Sequence, residues 1–126
     1  MPHPAEHSSA NRPLSRDEAQ ELAESMAVFA TASRLQILYA LIDGERHVDE
    51  LSAVIGLPAN TISQQLRILR AAHVVRVRRE GRRAFYALHD PHLVDLLSAI
   101  RHHAEHARFD WSEARASATP AREEAR

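Results

Sequence analysis

The feature that most constrains the fold is a pair of helical patterns, His47–Ile55 and Thr61–Ala72, joined by a short turn that contains Gly56 and Pro58. In both patterns apolar residues recur every three or four positions, which is the spacing of one buried helix face. Glycine and proline are residues that end a helix and form tight connections. Two helices with so short a turn predict a helix-turn-helix.

The second of these helices has a polar face opposite its apolar one. Amides pair bidentately with adenine, hydroxyls reach bases or phosphates, and guanidinium groups bind both phosphate and guanine. An ordinary amphipathic helix is the alternative interpretation. We predict DNA contacts from Asn60, Thr61, Ser63, Gln64, Gln65 and Arg67.

Two alternating segments follow, Val74–Arg79 and Arg83–Leu88, on either side of a Glu80-Gly81 turn, and they predict a β-hairpin. From residue 60 to 89 the chain has seven arginines against one glutamate, although its net charge is only −1. Such a basic block indicates a surface that binds a polyanion, whereas arginines on an edge strand also prevent strand pairing. We predict that the hairpin contacts DNA through Arg78, Arg79, Arg82 and Arg83.

Composition narrows the chemistry further. The 126 residues suit one domain, and the absence of cysteine excludes disulfides and thiolate metal sites. Nitrogen and oxygen ligands remain, and nine histidines are many for this length. With no long apolar run and no signal peptide, we expect a cytoplasmic protein without membrane contact. We predict a domain over 14–108 between disordered tails, 1–13 and 109–126.

The N-terminal part of the domain predicts two helices. Ser15 and Glu18 form a capping box, and the helix that follows extends to about Ala30. Its apolar stripe suits either the core or a dimer interface. A second helix is predicted over Arg34–Asp43, before the helix-turn-helix.

A last helix, from Asp90 to about Ala107, brings possible metal ligands together. Asp90 and His92 lie near its start, and His103 and His106 lie near its end on nearly the same face. Eleven residues of helix separate His92 from His103 by roughly 16 Å, whereas a metal–nitrogen bond is about 2 Å. One ion therefore needs an antiparallel second copy of the helix, which a two-fold dimer supplies, with two sites per dimer. A solvent-exposed, histidine-rich helix is the alternative.

Three sequence motifs resemble those of a known family and occur in the same order as in that family: Ala32–Leu38, Ser63–Arg70 and Glu80–Tyr86. The chain resembles the ArsR/SmtB family of winged-helix transcriptional regulators. The resemblance implies a mainly α fold with a small β-hairpin, a winged helix-turn-helix that dimerises through its first and last helices. It also implies a repressor rather than an enzyme, with operator DNA bound by the fourth helix and the wing.

The resemblance also implies a metal site. Asp90, His92, His103 and His106 match the last-helix site of family members that sense zinc or nickel and cobalt. His3 resembles an extra N-terminal ligand of the nickel and cobalt type. We therefore expect two Ni(II) or Co(II) ions per dimer, with Zn(II) on the same residues as the alternative. Repressors of this family usually leave DNA when metal binds.

The chain departs from the family pattern in the recognition helix. The family usually has a histidine at one of the two positions after Ser63, where this chain has Gln64 and Gln65. This difference leaves a second hypothesis open, a DNA-binding regulator or activator whose DNA affinity is not strongly changed by metal. Two rival functions are a metal hydrolase and a metal-buffering protein. A hydrolase would need an open coordination position and a general base, and the helix-end site has no identifiable nucleophile nearby. A metal-buffering protein leaves the arginine-rich hairpin unexplained.

Overall fold

The computed structural model of the protein describes residues 12–124, and the side chains of 12–108, 115 and 116. Within this range the chain forms five helices and three strands. In order they are α1 (Arg16–Ala27), α2 (Ala32–Ala40), β1 (Arg46–His47), α3 (Val48–Ile55), α4 (Ala59–Ala71), β2 (Val75–Glu80), β3 (Arg83–Leu88) and α5 (Pro91–Glu124). The predicted mainly α fold with a β-hairpin is confirmed.

Helix α1 begins as predicted. The Ser15 hydroxyl accepts the Glu18 N–H at 3.2 Å, and the Glu18 carboxylate accepts the Ser15 N–H at 2.9 Å. Hydrogen bonds from Arg12 and then from Ser15 lower the pKa of Glu18 to about 2. The helix ends at Ala27, so the predicted end near Ala30 is wrong by about one turn. Met1 and the other residues before Arg12, most of the predicted N-terminal tail, lie outside the described residues.

The core forms where α2, α3 and α4 meet the sheet and one face of α5. Its fully buried side chains are mostly leucine and isoleucine: Ile37, Leu38, Leu41, Leu51, Ile62, Leu66, Leu69, Val75 and Leu97. All but Val75 are positions that the helical spacing predicts to face inward, and Val75 belongs to a segment predicted as a strand from its alternating pattern. Val54 is an exception, because its place in the apolar spacing of the predicted helix His47–Ile55 indicates burial, whereas its side chain is 58% exposed. Leu51 and Ile55, one turn apart, define the inward face of α3, and Val54 lies beside it.

The sheet has one strand more than predicted. The strand order is β1-β3-β2, with both pairs antiparallel, and the β2–β3 hairpin pairs Glu80 with Arg83 across Gly81 and Arg82. Gly81 has φ +60°, a conformation that glycine adopts without strain at the first position of a two-residue hairpin loop. Strand β1 was not predicted, because two residues are too few to show an alternating pattern.

Helix α5 is fixed to the domain by its first turns. Leu97 is completely buried, and its carbonyl oxygen accepts the Tyr39 hydroxyl at 2.6 Å, which joins α5 to α2. The helix continues to Glu124, so the predicted end near Ala107 is wrong. Alanine, glutamate and arginine are frequent in the extension, and all favour helix. The division into 14–108 and two tails stays a prediction. No helix within residues 12–124 is long and apolar enough to cross a membrane.

Candidate nucleic-acid interface and metal site

Helix α4 presents its polar side chains outward because three of its apolar side chains are buried in the core. Ile62, Leu66 and Leu69 are buried with at most 1% of their surface exposed. The opposite face is exposed at Asn60, Ser63, Gln64, Arg67 and Arg70, while Thr61 is partly buried. One face of the helix therefore anchors it, and the other is free to enter a groove of DNA.

Gln65 has a partner within the protein. Its side-chain oxygen accepts a hydrogen bond from Arg34 Nη1 at 3.2 Å, and Arg34 Nε donates to the Val28 carbonyl at 2.6 Å. Gln65 thus connects the recognition helix to the corner between α1 and α2. Its contact with DNA, proposed from sequence, stays a prediction.

The arginines of the hairpin differ in their surroundings. Arg78 lies against Phe85, with its guanidinium carbon 4.8 Å from the ring centroid, and it pairs with Glu45 at 2.5 Å and Glu80 at 2.6 Å. The hydrogen bond from Arg78 lowers the pKa of Glu45, and the two carboxylates raise the pKa of Arg78. Arg78 is therefore already compensated by negative charge in the middle of the hairpin.

Arg79 and Arg82 contrast with Arg78. Both are exposed, and among the described residues no carboxylate lies within ion-pair distance of either. Arg83 Nη1 lies 3.2 Å from His47 Nε2, which ties it to β1. Arg79 and Arg82 are thus the hairpin cations best placed to neutralise phosphate.

A groove of about 480 Å³ separates α4 from the hairpin. Its lining includes three guanidinium groups and three other polar side chains, from Ser63, Arg67, Arg70, His73, Arg79 and Tyr86. Three cations in one open groove attract a polyanion. The structure therefore brings the predicted Ser63, Arg67 and Arg79 together, and it adds Arg70 and His73. Sequence reasoning assigned no role to His73, which lies in the turn after α4.

Asp90 caps helix α5. Its Oδ1 accepts the Leu93 N–H at 3.2 Å and lies 3.4 Å from His92 Nδ1, and its Oδ2 lies 3.6 Å from His89 Nδ1. Desolvation opposes the shift, but the backbone N–H groups of Leu93 and His92 and the two imidazoles lower the pKa of Asp90. The His92 side chain is 95% exposed. A carboxylate held in its charged form beside an exposed imidazole is a suitable half-site for a divalent cation.

The second predicted pair lies farther along the same helix. His103 and His106 are exposed. The His106 ring stacks on His102, with 6.4 Å between centroids, because residues four apart meet on a helix surface. Within the described residues of one protomer, no three histidine or carboxylate side chains form a group that could hold a metal ion. His3 lies outside those residues. Within one protomer the predicted ligands thus form two separate candidate pairs.

Comparison with known proteins agrees with this architecture. Residues 31–77 match the family model described as bacterial regulatory protein, arsR family. The regulator KmtR of Mycobacterium tuberculosis is 40% identical over 75% of this chain and 73% of its own length. The chain belongs to the ArsR family. It is a winged helix-turn-helix transcription regulator and not an enzyme, as the resemblance implied.

Two further relatives extend this ArsR-family match. The regulator NmtR of Mycobacterium tuberculosis is 37% identical over 84% of this chain and 88% of its own length. A solution structure of the homodimeric winged helix-turn-helix domain of a possible ArsR-family regulator from Mycobacterium bovis is also similar. It has a TM-score of 0.64 and 30% identity, and the match covers 73% of this chain and 88% of that one. The fold thus matches over the helix-turn-helix and the wing together.

Proposed function

We propose that this ArsR-family protein is a metal-responsive repressor that binds operator DNA as a homodimer and responds to Ni(II) or Co(II) bound between its last helices. One observation carries the proposal. Two exposed ligand pairs, Asp90 with His92 and His103 with His106, lie on one helix about 16 Å apart, too far for one ion. Each pair is incomplete alone and complementary to the other in a two-fold dimer.

The exposed apolar side chains support dimerisation through α1 and α5. Helix α1 buries no residue, and Leu22 and Met26, one turn apart, are 48% and 60% exposed. On α5, Leu96 and Ile100 are also one turn apart and about half exposed. Apolar stripes on two helices are typical of a face that a partner covers. The similar domain from Mycobacterium bovis is homodimeric.

The donor set fits a divalent transition metal. Imidazole nitrogens and a carboxylate suit nickel, cobalt and zinc, and the chain has no cysteine to favour a softer ion. Asp90 and His92 would hold the ion together with the partner subunit's His103 and the partner subunit's His106, giving two ions per dimer. Zn(II) with these four ligands is the alternative, while His3 would add a ligand for nickel or cobalt.

The groove side of the molecule would bind the operator. The polar face of α4 would read bases in the major groove, and Arg67, Arg79 and Arg82 would neutralise phosphates. A bound ion would stabilise the spacing of the two α5 helices at which both ligand pairs meet. If DNA binding favours a different spacing of the two α5 helices, metal binding lowers the affinity for DNA, and DNA binding lowers the affinity for metal by the same factor.

One titration tests the proposal. We expect the purified dimer to bind a DNA fragment from its own promoter, measured by fluorescence anisotropy, and to lose at least tenfold in affinity when nickel or cobalt saturates it. Zinc in a parallel titration tests the alternative ion. If two ions bind per dimer without a change in DNA affinity, the result would favour the second hypothesis, a DNA-binding regulator that metal does not switch. That hypothesis rests on Gln64 and Gln65, which replace the histidine of the family pattern. Absence of metal binding would contradict the proposal.

The dimer interface gives a separate prediction. Leu96→Asp is expected to convert the dimer to monomer and to lower operator affinity, because the new carboxylate would lie unpaired at the interface. Sedimentation velocity reports the mass, and anisotropy reports the affinity. Val54→Asp is the matched control, since Val54 is an exposed apolar residue on α3, away from α1 and α5. A Leu96→Asp protein that stays dimeric would exclude this face of α5 from the interface.

A further inference from the structure

The recognition helix ends in a turn that is centred on a histidine. His73 has φ +60°, and no other non-glycine residue in the described part of the chain has a positive φ. The His73 N–H donates to Arg70 O at 3.0 Å, and the Val74 N–H donates to Leu69 O at 2.9 Å. These two bonds are the pair that defines a Schellman motif, in which glycine is the usual central residue. His73 therefore occupies a left-handed position where glycine would be less strained.

His89 contacts this turn and Asp90 at once. Its backbone N–H donates to Val74 O at 2.9 Å, and its ring meets the His73 ring edge to face, with 6.1 Å between centroids and 86° between planes. On its other side, His89 Nδ1 lies 3.6 Å from Asp90 Oδ2. His89 therefore lies between the turn that ends α4 and the carboxylate that begins α5.

We propose that His89 is a positioning residue that couples the Asp90 carboxylate to the end of the recognition helix through His73. The proposal rests on the proposed function, because it assigns the route by which a metal ion bound on α5 changes DNA affinity. Asp90 divides its two oxygens, Oδ1 toward His92 and Oδ2 toward His89. A cation that draws the carboxylate toward His92 changes the contact that Oδ2 makes with His89.

The contact between His89 and His73 reaches the proposed DNA-binding groove. His73 lines the groove between α4 and the hairpin together with Arg67, Arg70 and Arg79. A shift of the His89 ring reaches the His73 ring directly, and the Schellman turn passes it to the last turn of α4. This route does not use Gln64 or Gln65, the positions where the family pattern has a histidine. It therefore connects Asp90 to the end of the recognition helix without the histidine that this chain lacks at those two positions.

The test measures coupling and not affinity alone. For each protein, the operator affinity without metal is divided by the affinity with saturating nickel, so that a change in metal affinity does not enter the ratio. His89→Phe keeps an aromatic ring against His73 and removes the nitrogen that faces Asp90. His73→Gly removes the ring and suits the positive φ. We expect each variant to reduce the ratio at least fivefold and the double variant to reduce it no further than one of them.

A second readout follows the histidine rings without DNA. In wild type, zinc is expected to shift the His73 ring proton resonances in the NMR spectrum, and His89→Phe is expected to abolish that shift while zinc still binds. His47, which contacts Phe85 and Arg83 instead, is the internal control. If the variants keep the wild-type ratio, or if zinc does not perturb the His73 ring in wild type, the role of His89 is overturned while the proposed function stands. A wild-type dimer whose DNA affinity ignores metal would overturn the proposed function as well.

Discussion

A heterodimer of two complementary variants is expected to bind one metal ion, while each parent homodimer binds metal at least about 100-fold more weakly than wild type. One chain carries Asp90→Ser and His92→Ala, and the other carries His103→Ala and His106→Ala. In the heterodimer one site has lost all four ligands and the other has all four. In either homodimer both sites have lost half. Only ligands shared between subunits give this result.

The substitutions are chosen so that folding does not confound the measurement. His92, His103 and His106 are exposed, so their removal leaves the core intact. Asp90 also caps α5 through the Leu93 N–H, and serine keeps an oxygen at the N-cap position, whereas alanine would cost about 1 kcal/mol. Two affinity tags allow the heterodimer to be purified, and equilibrium dialysis then gives the number of ions bound.

The outcome separates a shared site from its alternatives. His102→Ala in one chain is the control, because His102 stacks on His106 without belonging to the proposed ligand set. A parent homodimer that binds two ions at wild-type affinity would contradict the shared site. A heterodimer as weak as both parents would place other residues in the site. Loss of binding on His102→Ala would identify His102, rather than His103, as the partner of His106.

The parts of the fold that sequence predicted are those set by local chemistry. The capping box of Ser15 and Glu18, the left-handed Gly56 after α3 and the two-residue loop at Gly81 follow from a few neighbouring residues. The buried positions of α4 follow from 3.6-residue periodicity. Each of these features follows from a local rule, and the structure contains each of them. The hairpin loop is Gly81-Arg82, however, and so lies one residue after the predicted Glu80-Gly81 turn.

The missed features depend on contacts distant in sequence. Strand β1 exists because Arg46 and His47 pair with Tyr86 and Phe85, about forty residues later. The contact of Arg34 with Gln65 spans two helices in the same way. The candidate ligands on α5 were selected from sequence because helical geometry relates them within one element. By contrast, His73 and His89 come together through the register of the β2–β3 hairpin, which pairs Val75 with Leu88. The predicted Glu80-Gly81 turn is one residue away from the observed loop, so it does not give that register.

Removing two groove arginines is expected to weaken DNA binding more than 100-fold near 0.15 M salt. Arg67→Ala and Arg79→Ala together remove four guanidinium groups from the dimer. If each neutralises one phosphate, the slope of log affinity against log salt decreases in magnitude by about 3 to 4. Specific and unrelated DNA should lose affinity alike, because phosphate contacts carry no sequence information. Anisotropy titrations at four salt concentrations give the slope.

Arg78→Ala is the matched control within the same hairpin. Arg78 is already paired with Glu45 and Glu80, so its guanidinium displaces less counterion when DNA binds. We expect its removal to change the slope by less than one, although the sequence alone gave it the same role as Arg79. Equal slopes for Arg78→Ala and Arg79→Ala would show that DNA breaks the carboxylate pairs of Arg78.

Gln64→Ala completes the comparison, because it tests base reading on the same helix face as Arg67. Its removal is expected to leave the salt slope unchanged and to cost about 1–3 kcal/mol on operator DNA only. The two effects are separable because a neutral amide releases no counterions, whereas a guanidinium on phosphate does. A Gln64→Ala protein with unchanged operator preference would move base recognition to other residues of the exposed face of α4, such as Asn60 and Ser63, and would leave the arginine groove as the source of affinity.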